Sequence, residues 1–178
     1  MLTGKRTRRL ATPLTLTAAS AVALVGLAAG TSEAATQPPW ADTGSLSVRI
    51  HALNSAAGKH YASVVLTNKT HRTVRTEGYV GLQLLDSHNK DVTTHVVRDR
   101  GHVAPITLKP GQSAYTRLHW SVVPGSGEPT KAEKNPSKLE VTPPNSRHHL
   151  TTAWKLGDVL QKGRIDITPL AKGSGPKY

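Results

Sequence analysis

Ser113-Ala114-Tyr115-Thr116-Arg117-Leu118-His119-Trp120-Ser121 decides the fold. Ala114, Thr116, Leu118 and Trp120 alternate with Tyr115, Arg117 and His119, a period of two rather than 3.6. Successive side chains of a strand point to opposite faces. The stretch therefore predicts a half-buried β-strand, with one face in a core and a wet face carrying an aromatic ring and two basic groups. Just before it, Lys109-Pro110-Gly111-Gln112 has Pro and Gly at the two central positions, as a type II turn requires.

Working outward, the same signal recurs. Leu46, Val48, Ile50 and Ala52 alternate with Ser47, Arg49 and His51, and His60 to Asn68 is a β-rich run ended by Asn68-Lys69-Thr70. Further strands are expected over Tyr79 to Leu85, Pro105 to Leu108, Leu139 to Val141, His149 to Thr152 and Ile165 to Ile167. Asp86 to Asp91 reads as a hairpin turn and residues 124–138, rich in Pro, Gly, Lys and Ser, as a long exposed loop. Only Asp158 to Gln161 suggests a helical turn. Short strands at this spacing predict an all-β, immunoglobulin-like β-sandwich of about seven to nine antiparallel strands. Phe is absent, so its core should be aliphatic, plugged by Trp120, Trp154 and Tyr79.

The first 35 residues carry a different signal. Lys5, Arg6, Arg8 and Arg9 precede an uncharged stretch from Leu10 to Ser32, which runs into Ser32-Glu33-Ala34-Ala35. This is the order of an export signal: basic region, apolar region, small-residue cleavage site. The apolar part is shorter and weaker than the roughly 20 strongly apolar residues of a spanning helix, so cleavage near Ala34 or Ala35 is expected rather than a retained anchor. The general secretory route fits better than a twin-arginine one, because Leu10-Ala11-Thr12-Pro13 lacks a bulky apolar pair after Arg8-Arg9. The expected organisation is a signal peptide over 1–34, an extended linker over 35–43 around Pro38-Pro39, the sandwich over 44–170 and a disordered polar tail over 171–178.

The 178-residue chain has 23 Lys and Arg against 11 Asp and Glu, a formal charge of +12, and most of that excess lies beyond residue 35. Such a balance favours anionic partners. There is no cysteine, which excludes disulfides, thiolate metal sites and thiol nucleophiles.

The residues that could carry chemistry are scattered. His88, His95 and His102 recur every seven positions, an odd spacing that alternates faces on a strand, and His148-His149 is a poor chelating pair. No metal site is expected. No Gly-x-Ser-x-Gly elbow is present, and Asp86, Asp91, Asp99, Glu128 and Glu133 read as turn acids that bond local backbone. The Asp86 to Asp91 turn is no calcium loop, since His88 and Lys90 stand where oxygen ligands are needed. No catalytic residue, cofactor or enzymatic activity is expected. The candidate binding face is the wet side of the strand that opens this section, Tyr115, Arg117 and His119, extended by Arg49 and His51 of the first strand. Such a face can stack on sugar rings or hold an anionic polymer, and it can equally be the ordinary solvated side of a sheet, where basic residues protect an edge.

Taken in order, Val65-Leu66-Thr67-Asn68-Lys69-Thr70, Arg72 to Leu82, Leu84-Leu85-Asp86, Thr107 to Ala114, Leu118-His119-Trp120, Leu139 to Pro144 and Gly163 to Leu170 resemble a secreted actinobacterial family, domain of unknown function 4232. The resemblance spans about residues 44–170. It implies a secreted or envelope-attached immunoglobulin-like sandwich with no established activity. It also implies a pair of cysteines in many members, at places where this chain has Val74 and Leu160, so that apolar packing would replace a disulfide.

The function expected from these readings is a secreted, extracellular or cell-wall-associated, non-catalytic binding or structural module. Its expected partner is an anionic wall polymer or carbohydrate. The alternative is a secreted protein, met through the 124–138 loop as inhibitor or scaffold, and a hydrolase ranks below both. Specific nucleic-acid binding is not expected, because the basic groups are dispersed and no recognition helix exists; nor is stable membrane insertion after cleavage.

Overall fold

In the computed structural model, which describes residues 37–132 and 134–177, the chain forms twelve strands. They are β1 (Leu46–Ala56), β2 (Lys59–Asn68), β3 (Val74–Thr76), β4 (Gly81–Leu85), β5 (Asp91–Val92), β6 (His95–Arg98), β7 (Ile106–Leu108), β8 (Ser113–Ser121), β9 (Lys138–Thr142), β10 (Leu150–Ala153), β11 (Arg164–Ile167) and β12 (Ala171–Lys172). One four-residue turn, α1 (Leu160–Gly163), precedes β11. The all-β reading holds, with 45% of the described residues in strands and 3% in helix. The signal peptide expected over 1–34 lies outside the described residues.

The segment that fixes the fold behaves as its alternation demands. Ala114, Thr116, Leu118 and Trp120 are buried, while Tyr115 and His119 are half-buried and Arg117 is exposed. β8 pairs antiparallel with β2 over nine residues, from Lys59 opposite Ser121 to Thr67 opposite Ser113, and β1 closes on β2. On its other side β8 pairs first with β11 and then with β12. The ladder survives the break between them through Thr168. Its backbone N–H donates to the Arg117 carbonyl (3.0 Å), while its hydroxyl accepts from the Arg117 N–H (3.0 Å). The order of this six-stranded sheet is β1-β2-β8-β11-β6, with β12 beside β8.

A four-stranded sheet, β10-β9-β4-β5, and a two-stranded one, β3-β7, complete the fold. Leu66, Leu118 and Ile165 of the first sheet, Leu84, Leu139 and Val141 of the second, and Val74 and Leu108 of the third belong to one buried cluster. Trp120 and Trp154 meet inside it with ring centroids 5.0 Å apart, each indole N–H bonded to a backbone carbonyl, of Asp158 and Gly157 respectively. Those bonds let two polar-tipped rings sit at 1% and 3% exposure without an orphaned donor.

Two expectations need correction. The strands number more than seven to nine, because β3, β5, β6 and β12 are two to four residues long and too short to show a period. Nor are all pairs antiparallel: β6 and β11 run parallel, from His95 opposite Arg164 to Arg98 opposite Ile167. A parallel pair needs a crossover, and here the chain passes through β7 to β10 between the two partners.

The flanking segments are attached. Trp40 bridges Arg75 of β3, Ala41 is 2% exposed, and the Arg75 guanidinium lies 4.2 Å from the Trp40 ring centre. At the other end the residues read as a disordered tail begin with β12, and the Gly173 N–H donates to the Ser113 carbonyl (2.8 Å).

Turns follow their residue chemistry. Gly111 has φ +74°, and the Gln112 N–H reaches the Lys109 carbonyl at 3.0 Å, closing the Pro-Gly turn. The Asp86 carboxylate accepts from the N–H groups of His88 and Lys90, which bends the chain between β4 and β5. Asn68, 1% exposed, ties three segments together: its Nδ2 donates to the carbonyls of Arg72 (2.7 Å) and Leu108 (2.9 Å), and its Oδ1 accepts from Thr70.

Candidate functional site

Register places the candidate residues on one surface. Arg49, Val65 and Tyr115 lie opposite one another across β1, β2 and β8; His51, Ser63 and Arg117 form the next row; Leu53, Tyr61 and His119 the one after. Side chains two residues apart share a face, so Arg49, His51, Tyr115, Arg117 and His119 all belong to the outward side of the six-stranded sheet.

That face is not uniform. At the Tyr115 end the chain after β12 comes back over the sheet: a Cβ built on Gly175 would lie 3.0 Å from the Ser63 Oγ and 3.0 Å from the Tyr115 ring. Ser63 is thus fully buried although it points outward. Arg49 and Arg117 remain exposed.

At the His119 end two carboxylates converge. The His119 Nε2 is 3.3 Å from Asp99 and its Nδ1 3.9 Å from Asp166, the residue opposite it on β11. Asp99 is held by its own backbone, whose carbonyl accepts from the Tyr79 hydroxyl (2.6 Å) and whose N–H donates to Ile167 (2.8 Å). Burial pushes the Asp166 carboxyl up, but the hydrogen bonds and charge of Arg164, with His119 and Lys59 nearby, outweigh it and hold the group below the usual carboxylate range. Arg164 grips Asp166 through both Nε (3.1 Å) and Nη2 (2.6 Å).

Asp99, His119 and Asp166 bring three potential ligand atoms within 4.8 Å of one another. This is the donor chemistry of a divalent-cation site. The surroundings oppose that use, because Arg164 already occupies both oxygens of Asp166 and the two ring nitrogens face different carboxylates. The arrangement is a polar clasp between β8, β11 and the segment after β6. Beside it lies a shallow pocket of about 350 Å³ whose lining includes Lys59, Ser121, Arg164 and Asp166. The Ser121 hydroxyl there is bonded to the backbone of Val123, as donor at 2.8 Å and acceptor at 3.0 Å.

No spacing in the sequence announces this clasp. Asp99 reads as a turn acid, and Asp166 sits between two isoleucines of an expected strand. Alternation places Asp166 on the outward side, yet which strand lies next to β11 is a fact of tertiary pairing.

Val74 and Leu160, where the resemblance implies cysteines, are both buried, at 4% and 7% exposure. Val74 is part of the main cluster, whereas Leu160 lines a pocket at α1.

A family model described as Domain of unknown function (DUF4232) matches residues 41–171. No curated protein and no solved structure matches the chain.

Proposed function

Because the chain belongs to the family described as Domain of unknown function (DUF4232), whose description assigns no activity, we propose from its own residues that it is an exported, non-catalytic binding module of immunoglobulin-like type, of actinobacterial origin, acting at the cell wall or outside the cell. The ligand is an anionic wall polymer, held by the outward face of the six-stranded sheet. The observation that carries this reading is the shared face of Arg49, His51, Tyr115, Arg117 and His119 in three adjacent rows. Rigid β-pairing on both sides of β8 fixes the spacing of these groups, which reduces the ordering cost of binding a repetitive polyanion. Export is supported by the basic cluster, uncharged stretch and small-residue end of residues 5–35. The sandwich is supported by the six- and four-stranded sheets, which bury one face each in a common core.

The clasp takes His119 partly out of the binding surface, since its Nε2 lies 3.3 Å from Asp99. Arg49 and Arg117 are then the principal anion contacts. The test is retention of residues 35–178 on purified polyphosphodiester wall polymer. Retention at low salt, release by moderate salt and a severalfold loss in Arg49→Ala/Arg117→Ala are expected. No retention at low salt removes the reading, and a stoichiometric protein partner captured independently of salt replaces it.

A further inference from the structure

A second concavity lies between loop residues 127–132 and 134 and the turn α1. Its volume is about 530 Å³, within the range of roughly 300–1,000 Å³ typical of small-molecule sites. Val92, Val159 and Leu160, each 6–7% exposed, form an apolar floor. Lys131, Lys134 and Lys162, all exposed, stand around it.

The only carboxylate among its described lining residues, Glu128, is already engaged. One of its oxygens accepts from the N–H groups of Gly125 (2.8 Å) and Gln161 (3.0 Å), which ties the loop to the turn. Among the described residues, none of the three lysines takes part in a salt bridge. The wall that bears Lys162 is unusual in its backbone. Gln161 (φ 54°, ψ 51°), Lys162 (φ 57°, ψ 37°) and Gly163 (φ 74°) follow one another in the left-handed region, the first two without the freedom of glycine. Strain of this kind persists only where its surroundings over-determine it, and it gathers at ligand sites. Here the surroundings are identifiable: Glu128 holds Gln161, and the Thr93 carbonyl packs so tightly on Gly163 that a Cβ would lie 1.9 Å from its oxygen.

We propose that this pocket binds a small amphiphilic anion, a carboxylate or sulfonate on a short alkyl or aryl body. The body lies on Val92, Val159 and Leu160, and the head group meets Lys131, Lys134 and Lys162. An inorganic anion would leave the floor uncovered, and a neutral apolar molecule would gain nothing from the positive charge around it. The site is independent of polymer binding by the sheet face.

Octanoate is the probe, with acetate supplying the head group alone and octan-1-ol the body alone. Titrations followed by backbone amide shifts should show saturable octanoate binding centred on Thr93, Gly127 and Gly163. At least tenfold weaker binding is expected for acetate, for octan-1-ol, and for octanoate to Lys131→Gln/Lys134→Gln/Lys162→Gln, whose three changes are all at exposed positions. Unfolding of that variant, measured alongside, should match the parent. Absence of octanoate binding, shifts centred elsewhere, equal binding of either half-probe, or undiminished binding by the triple variant would each overturn the proposal.

Discussion

Gly175 lies close against the ring of Tyr115, where a methyl group would fit only if its neighbours gave way: a Cβ would stand 3.0 Å from the ring's Cγ and Cδ2. Its φ of +71° is a conformation that residues with side chains adopt rarely. The tail is therefore fitted to the sheet at this point, and glycine is what allows the fit. Gly175→Val should lift the segment after β12 and expose Tyr115. The measurement is tyrosine nitration mapped by mass spectrometry, with faster modification of Tyr115 and an unchanged rate at Tyr61. An unchanged rate at Tyr115 would show that the tail does not shield it.

Gly163 and Gly111 separate two kinds of glycine requirement. Both have φ of +74°, but nothing approaches a Cβ on Gly111, whereas one on Gly163 would collide with the backbone of Thr93. Gly111→Ala should lose roughly 1–2 kcal/mol, the conformational term alone. Gly163→Ala should lose more than about 3 kcal/mol, since a backbone carbonyl must shift. Urea denaturation of the two variants checks this; equal losses would mean that the turn relaxes freely.

Asn68 offers a test of the hydrogen-bonded joint between β2, β7 and the loop before β3. Asn68→Ala leaves the buried carbonyl of Leu108 without its side-chain donor and frees Arg72 and Thr70. A loss of about 2–4 kcal/mol is expected by chemical denaturation. A loss below about 1 kcal/mol would assign the joint to the backbone bonds of Asn68 with Gln112 and Gly111 alone.

The clasp gives stability a pH dependence of known sign. With its folded-state pKa held below the ordinary value of 3.8, Asp166 contributes stability that is present above that value and lost as pH falls through the depressed one. Arg164→Gln removes the principal opposing interaction and leaves burial to raise the carboxyl. Stability of the variant should then be lower at neutral pH, and it should gain relative to the parent as Asp166 protonates. Denaturation midpoints from pH 7 to pH 3 test this, and parallel profiles for the two proteins would assign no electrostatic role to the pair.

What the chain discloses by itself depends on how each segment meets water. β8, β1 and β2 are legible because one side of each is dry and the other wet, so Leu118 and Arg117 must alternate. β6 is not, since Val96 and Val97 are adjacent and both half-buried on an edge strand. β12 is two exposed residues whose pairing with Tyr115 and Ala114 leaves no trace in composition. The turn at α1 falls near its expected place with the opposite hand, because Gln161 and Lys162 are ordinary helix formers held left-handed by Glu128 and Thr93. Alternation and register together set Arg49 and His51 on the same side of the sheet as Tyr115, Arg117 and His119. The clasp and the tail lay beyond reach, because both are made by segments that are distant in sequence.

β8 sits mid-chain, yet one of its two flanks is filled only by residues 164–172. The ribbon therefore closes on that flank only through contacts between residues far apart in sequence, such as Thr116 with Thr168 across 52 positions. Long-range pairing of this kind makes closure a slow step of folding.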